Sequence, residues 1–222
     1  MNHFQYKGDE LFAEDVSIRE IVAKVGSPAY IYSLATLERH FKVFDDAFAA
    51  MPHTICYSVK ANSTQSVLKT FIRLGGGVDI VSGGELYRAL RAGVDPKKVV
   101  YSGVGKKNEE IEYALNSGIL MFNVESEQEL TRISEIASRL GKKAGIAIRV
   151  NPDVDPGTHP YITTGLKNAK FGITIDRAMA EYVRAASLPG IEVLGIDMHI
   201  GSQLTKVAPF VDSIEKLKLM IA

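Results

Sequence analysis

The chain has 222 residues, 46% hydrophobic and 23% charged, which supplies one substantial core and is too apolar for a disordered polypeptide. Lys plus Arg (26) equals Asp plus Glu (26), so the charge recommends neither nucleic acid nor an anionic membrane as partner, and a small-molecule ligand is expected instead. The single cysteine, Cys56, excludes an internal disulfide and fits a reducing, cytoplasmic compartment; no apolar run reaches the ~20 residues of a membrane helix, and the opening MNHFQYKGDE lacks a secretion-signal core.

In chain order, Ser17 and Glu20 form a capping box before Ile21, Val22 and Val25, with Gly26 as the left-handed stop. A second helix is predicted over 34–50, ended by Pro52. Six short β-branched runs then alternate with helical-period stretches, at 54–59, 78–81, 98–101, 119–122, 144–150 and 193–199. The interval from Val81 to Tyr101 is 20 residues and from Tyr101 to Phe122 it is 21. That leaves room for one strand, one helix and two turns per unit, so the strands are parallel. Gly75-Gly76-Gly77 precedes a strand instead of following one, and reads as a helix stop, not a phosphate loop. Ser126 and Glu129 open a helix whose apolar face is Leu130, Ile133, Ala137 and Leu140, ended by Gly141. The lysine pairs 97–98, 106–107 and 142–143 read as solvated charge at element boundaries. The chain ends in an amphipathic helix carrying Phe210, Ile214, Leu217 and Ile221. The pattern is α/β; such a repeat closes as a TIM-type (β/α)8 barrel or stays open as a doubly wound sheet, and with the glycine cluster before a strand the barrel is favoured, incomplete here at about six strands.

Barrels bind ligands at the carboxyl ends of their strands. Lys60 there ends an apolar strand and is expected to be desolvated, which favours the neutral amine and imine formation with an aldehyde; the alternative is a solvated strand-end lysine. His199 heads His-Ile-Gly-Ser-Gln, which places a flat ring, a glycine, the Ser202 hydroxyl and the Gln203 amide together. That set suits an aromatic ring bearing a phosphate, and a structural histidine is the other reading. The remaining histidines show no metal-ligand spacing with it. Asp79 and Glu85 bracket Ser82-Gly83-Gly84, with Glu85 either facing a ligand or serving as a first-turn helix residue. Arg149, between Ile148 and Val150, is either a structural ion pair or an anion clamp.

The segments Tyr57-Ser-Val-Lys60-Ala-Asn62, Val78-Asp79-Ile-Val-Ser82-Gly-Gly-Glu85, Arg149-Val-Asn-Pro152, Thr158-His-Pro-Tyr161 through Lys167, Lys170-Phe-Gly172 and His199-Ile-Gly-Ser-Gln203 stand in this order. Together they resemble the fold-type III pyridoxal-phosphate enzymes, which include alanine racemase, and within them the diaminopimelate decarboxylase branch, over about residues 10–222. The resemblance implies that Lys60 forms the imine with pyridoxal 5'-phosphate, His199 stacks on its ring and Ser202 binds its phosphate, with Asp79, Glu85 and Arg149 around them. It implies decarboxylation of meso-2,6-diaminopimelate to L-lysine in a homodimer. Residues 1–30 would then be a lead-in belonging to the family's β domain, and 31–222 a partial cofactor-binding barrel. The family's later glycine-rich loop, Glu-Pro-Gly-Arg segment and β domain are not found in this sequence, so the chain reads as an amino-terminal portion, expected to be inactive alone. Competing readings are another basic amino-acid decarboxylase, a non-catalytic carrier of the cofactor built as one closed barrel, and a racemase relative.

Overall fold

The structure is a computed structural model that describes residues 2–152, 171–202 and 204–221. It begins with an antiparallel sheet of β1 (Phe4–Lys7), β2 (Glu10–Ala13) and β3 (Val16–Ser17), which the sequence reading did not foresee. Helix α1 (Ile18–Val25) starts at Ser17, whose hydroxyl accepts the N–H groups of Arg19 and Glu20. Its expected left-handed stop is only partly realised: Gly26 has φ 85 with an extended ψ of -178. Helix α2 (Leu34–Ala47) is capped by Ser33, which also donates to Glu14 at 2.7 Å and so ties the small sheet to the helix.

The remainder is the predicted βα repetition. It runs β4 (Cys56–Ser58), α3 (Gln65–Arg73), β5 (Gly77–Ile80), α4 (Gly83–Ala92), β6 (Val99–Tyr101), α5 (Asn108–Ser117), β7 (Met121–Val124), α6 (Glu127–Arg139) and β8 (Ala144–Asn151), then β9 (Ile173–Thr174), α7 (Ile175–Ser187), β10 (Ile191–Asp197) and α8 (Ala208–Ile221). The strands pair in parallel in the order β10-β8-β7-β6-β5-β4, with β9 extending beside the end of β8. Among the described residues β4 and β10 are the two edges, so the barrel is partial, as expected.

Fully buried side chains on the face that the helices cover hold the sheet. Ile80, Tyr101, Phe122, Ile146 and Ile148 come from strands, and Leu68, Leu86, Ile111, Leu130 and Ile133 from the covering helices. Each contributes about 1.5–3 kcal/mol by leaving water. The glycine cluster does serve as a helix stop, with Gly75 at φ 93 after α3. Gly77 adds a packing role, because a Cβ there would lie 2.2 Å from the Lys98 carbonyl oxygen.

One expectation is corrected here. Lys106 is not solvated: its side chain is 0% exposed and donates to Glu129, to the Gly103 carbonyl at 2.7 Å and to the Asn123 carbonyl at 2.9 Å. A buried ammonium is tolerated because oxygen acceptors surround it. The apolar face of α8 is only partly covered; Leu217 is buried, whereas Phe210 and Ile214 are exposed, since α8 follows the open edge strand β10.

Candidate active site at the carboxyl ends of the strands

A cavity of about 490 Å³ is lined from β4, β5, β6, β7, β8 and β10 and the turns that follow them, including Lys60, Asp79, Ser102, Asn123, Glu125, Arg149, Asp197 and His199. Its size falls in the range of small-molecule sites. The alternation of side chains along each strand sends these polar residues inward at the strand ends, and apolar residues below them close the floor.

Lys60 departs from its expected setting. Strand β4 stops at Ser58, and Lys60 lies in a 3₁₀ turn, Val59–Ala61, in which Val59 is buried and Lys60 is exposed. The expected desolvation is therefore not found among the described residues. The cause is its place beside an edge strand with a neighbour on one side only. Lys60 nevertheless lines the cavity.

Asp79 is fixed by two hydroxyls, accepting from Ser58 at 3.1 Å and Ser102 at 2.6 Å, and Ser102 in turn accepts from the Asn123 amide at 3.1 Å. Glu85 is not among the cavity-lining residues; its carboxylate accepts the Val81 N–H at 2.8 Å, while Ser82 accepts the Glu85 N–H. Arg149 donates to Glu125 at 3.1 Å, with the two side chains 13% and 2% exposed, and its guanidinium lies over the Phe171 ring. His199 follows the last residue of β10 by two positions and Ser202 follows on the same wall. Gln203 and the segment holding His159 and Tyr161 lie outside the described residues.

The loops at this end are linked to one another. Glu110, in the first turn of α5, accepts the Gly83 N–H from the preceding loop at 2.8 Å. Glu125 accepts the Gly103 N–H at 3.1 Å, made possible by a φ of 96 at that glycine. Glu129 accepts the Glu125 N–H and the Lys106 ammonium.

Electrostatics distinguish the titratable groups. Burial, then the Arg149 and Lys60 charges, push the His199 imidazole below its ordinary value, which favours the neutral ring. Burial, reinforced by Glu125 and Asp79 and opposed by Arg149, pushes Asp197 up to about 6. Burial and Asp79 push the Cys56 thiol up to about 11, so this lining residue is no thiolate nucleophile at neutral pH.

Asn123, Glu125 and Asp197 were not singled out from the sequence. The predicted fourth strand ended at Phe122, two residues short, and the predicted sixth enclosed Asp197 as interior. Applying the strand-end rule to β7 as folded points directly at Glu125.

Residues 34–222 match the family model for the pyridoxal-dependent decarboxylase, pyridoxal binding domain. The chain belongs to the pyridoxal-dependent decarboxylase family. Within the pyridoxal-dependent decarboxylases it is 54% identical over 217 residues to the diaminopimelate decarboxylase of Pseudomonas aeruginosa, covering 98% of this chain and 52% of that protein. With the Vibrio cholerae enzyme of the same name it is 55% identical over 222 residues, 100% of this chain and 53% of the other. Of solved structures, diaminopimelate decarboxylase from M. jannaschii in co-complex with L-lysine superposes with a TM-score of 0.92 at 35% identity, over 99% of this chain and 52% of that one. AQ1208 from Aquifex aeolicus gives 0.88 at 43% identity, over 99% and 50%. The chain thus spans about half the length of the curated relatives it matches.

Proposed function

We propose that this chain forms the cofactor-holding portion of a pyridoxal-phosphate decarboxylase that removes carbon dioxide from the D-centre of meso-2,6-diaminopimelate to give L-lysine, the last step of lysine biosynthesis. The observation that carries this reading is the convergence of Lys60, Arg149 and His199 on one cavity. Identities of 54% and 55% to two diaminopimelate decarboxylases support the substrate.

The residues fit the cofactor. A primary amine at the mouth can condense with an aldehyde, a hydroxyl at Ser202 can meet a phosphate, and a largely neutral imidazole offers a flat face. The Asn123 Oδ1 and Glu125 Oε2 atoms are buried without a hydrogen-bond partner, which suits a wall that meets a polar ligand. When bound, pyridoxal phosphate supplies an electron-accepting ring. Lys60 anchors it, His199 orients it by contact with its face, and Asp79, held by two serines, keeps its carboxylate fixed at the wall. Arg149, partnered by Glu125, presents a positive charge to a substrate carboxylate. Glu85 acts through the loop it caps. The apolar floor excludes water from the reacting carbon.

Borohydride reduction of the full-length protein with pyridoxal phosphate, followed by peptide mapping, tests the anchor: the label is expected on Lys60, and a label on another lysine overturns the assignment. Carbon dioxide release from meso-2,6-diaminopimelate is expected to exceed release from ornithine or arginine. Faster release from either of these points to another basic amino-acid decarboxylase, and no release from any of them points to the carrier. A homodimer and a cytoplasmic location belong to the same reading, and a monomeric mass by sedimentation equilibrium would count against the first.

A further inference from the structure

Arg149 and Asp197 stand opposite one another in the parallel register of β8 and β10, and both line the cavity. Register neighbours of opposite charge ordinarily pair. Here the guanidinium turns instead to Glu125, at 3.1 Å, and among the described residues Asp197 is in no ion pair. Glu125 is almost fully enclosed. Its Oε1 takes both Arg149 and the Gly103 N–H, and its Oε2 is buried with no partner.

The groups that face Asp197 can be enumerated. Asp79 stands on β5, Glu125 after β7 and Arg149 on β8, with His199 in its own segment and Lys60, in the turn after β4, acting on His199; Tyr182 of α7 lies on the outer side. Three carboxyl groups therefore share the neighbourhood of one guanidinium, with His199 favoured neutral. Asp79 has two hydroxyl donors and Glu125 has a guanidinium and an amide. Asp197 accepts one backbone N–H, that of Met198, and among the described residues no side-chain donor, so it is the least supported of the three and the one that most readily keeps a proton in a cavity wall.

We propose that Asp197 and Glu125, on the two sides of Arg149, compete for its guanidinium, which makes Asp197 a positioning residue: protonated, it leaves the guanidinium to Glu125, and ionised, it draws on it. Arg149 would thus have two settings, chosen by the protonation of a neighbour in the next strand. The consequence for turnover rests on the proposed function, but the proton itself is read without cofactor.

Infrared difference spectra of the full-length protein without cofactor test this as pH is raised through about 6. A protonated-carboxyl band is expected to disappear there, and to be missing in Asp197→Asn. In Glu125→Gln the midpoint is expected to fall by about one to three pH units, because a like charge is removed and the guanidinium is released toward Asp197. A band that survives Asp197→Asn, or a midpoint that Glu125→Gln leaves in place, overturns the proposal. Should either variant misfold by circular dichroism, carbon-13 aspartate resonances of the unaltered protein decide alone, and no carboxyl titrating near 6 refutes it. With cofactor added, Asp197→Asn is expected to flatten the pH profile of decarboxylation near 6, a change that loss of packing alone would not produce. Absence of decarboxylation with the band intact would count against the proposed function and leave the competition for Arg149 standing.

Discussion

Lys60 and His199 follow the two opposite edge strands of the parallel sheet, β4 and β10, and nonetheless line one cavity. Four strands lie between these edges. The sheet therefore wraps around the cavity, and the Lys60 charge is near enough to assist burial and Arg149 in keeping the His199 imidazole neutral.

The proposed stacking of His199 separates from a structural role by shape. His199→Phe keeps a flat ring, whereas His199→Ala removes it. Ring contacts of this kind are worth about 0.5–1.5 kcal/mol, so pyridoxal-phosphate affinity is expected to fall roughly two- to twelvefold in the alanine variant and less in the phenylalanine variant. Fluorescence titration measures both, and equal losses in the two would remove stacking from the account.

Acid and base act on the fold in opposite senses through Asp197 and His199. For His199, lowered from 6.5, the unfolded chain takes the proton first, so its contribution is present above 6.5 and is lost as pH falls below it. For Asp197, raised from 3.8 to about 6, the contribution is present below 3.8 and is lost as pH rises through about 6. Asp197→Asn cannot ionise. It is expected to raise stability above that pH by about 3 kcal/mol and to change little on the acid side, as urea midpoints on both sides would record.

Lys106 predicts a large loss from one substitution. Lys106→Met leaves Glu129 buried without its cation and two carbonyls without a donor, an expected cost of about 3–5 kcal/mol in chemical denaturation. Adding Glu129→Leu should recover part of it, since the stranded charge is then gone; a double variant no better than the single would contradict this.

Gly77→Ala tests whether the glycine cluster serves packing. The added methyl meets the Lys98 carbonyl, a backbone atom at the junction of β5 and β6, so β5 must shift at an expected cost of about 1–3 kcal/mol. Cofactor affinity of the folded fraction should change far less than stability, because Gly77 lies at the amino end of β5 and does not itself line the cavity, its methyl reaching it only through the Cys56 Sγ. A selective loss of affinity would restore the phosphate-loop reading.

The βα order was legible because β-branched runs and capping serines mark local choices that the fold leaves in place. Strand ends were less so. Ile119 and Leu120 look like strand residues but lead into β7, which runs on through Asn123 to Val124, so the polar residues that finish β7 were passed over. Lys106 read as surface charge because its burial depends on Glu129, 23 residues away, which only the tertiary fold brings near. The exposure of Lys60 depends on a missing strand neighbour, and pairing partners are not written in a local run. Strands β1 to β3, of four, four and two residues, are too short for a period to register.

Glu110, Glu125 and Glu129 fasten the segment between β6 and α5 to the start of α4 on one side and to the segment after β7 on the other. For a lineage gaining and losing residues, these loops are then inherited together: lengthening one withdraws an acceptor from its neighbour, and a viable change of length in one calls for a matching change beside it.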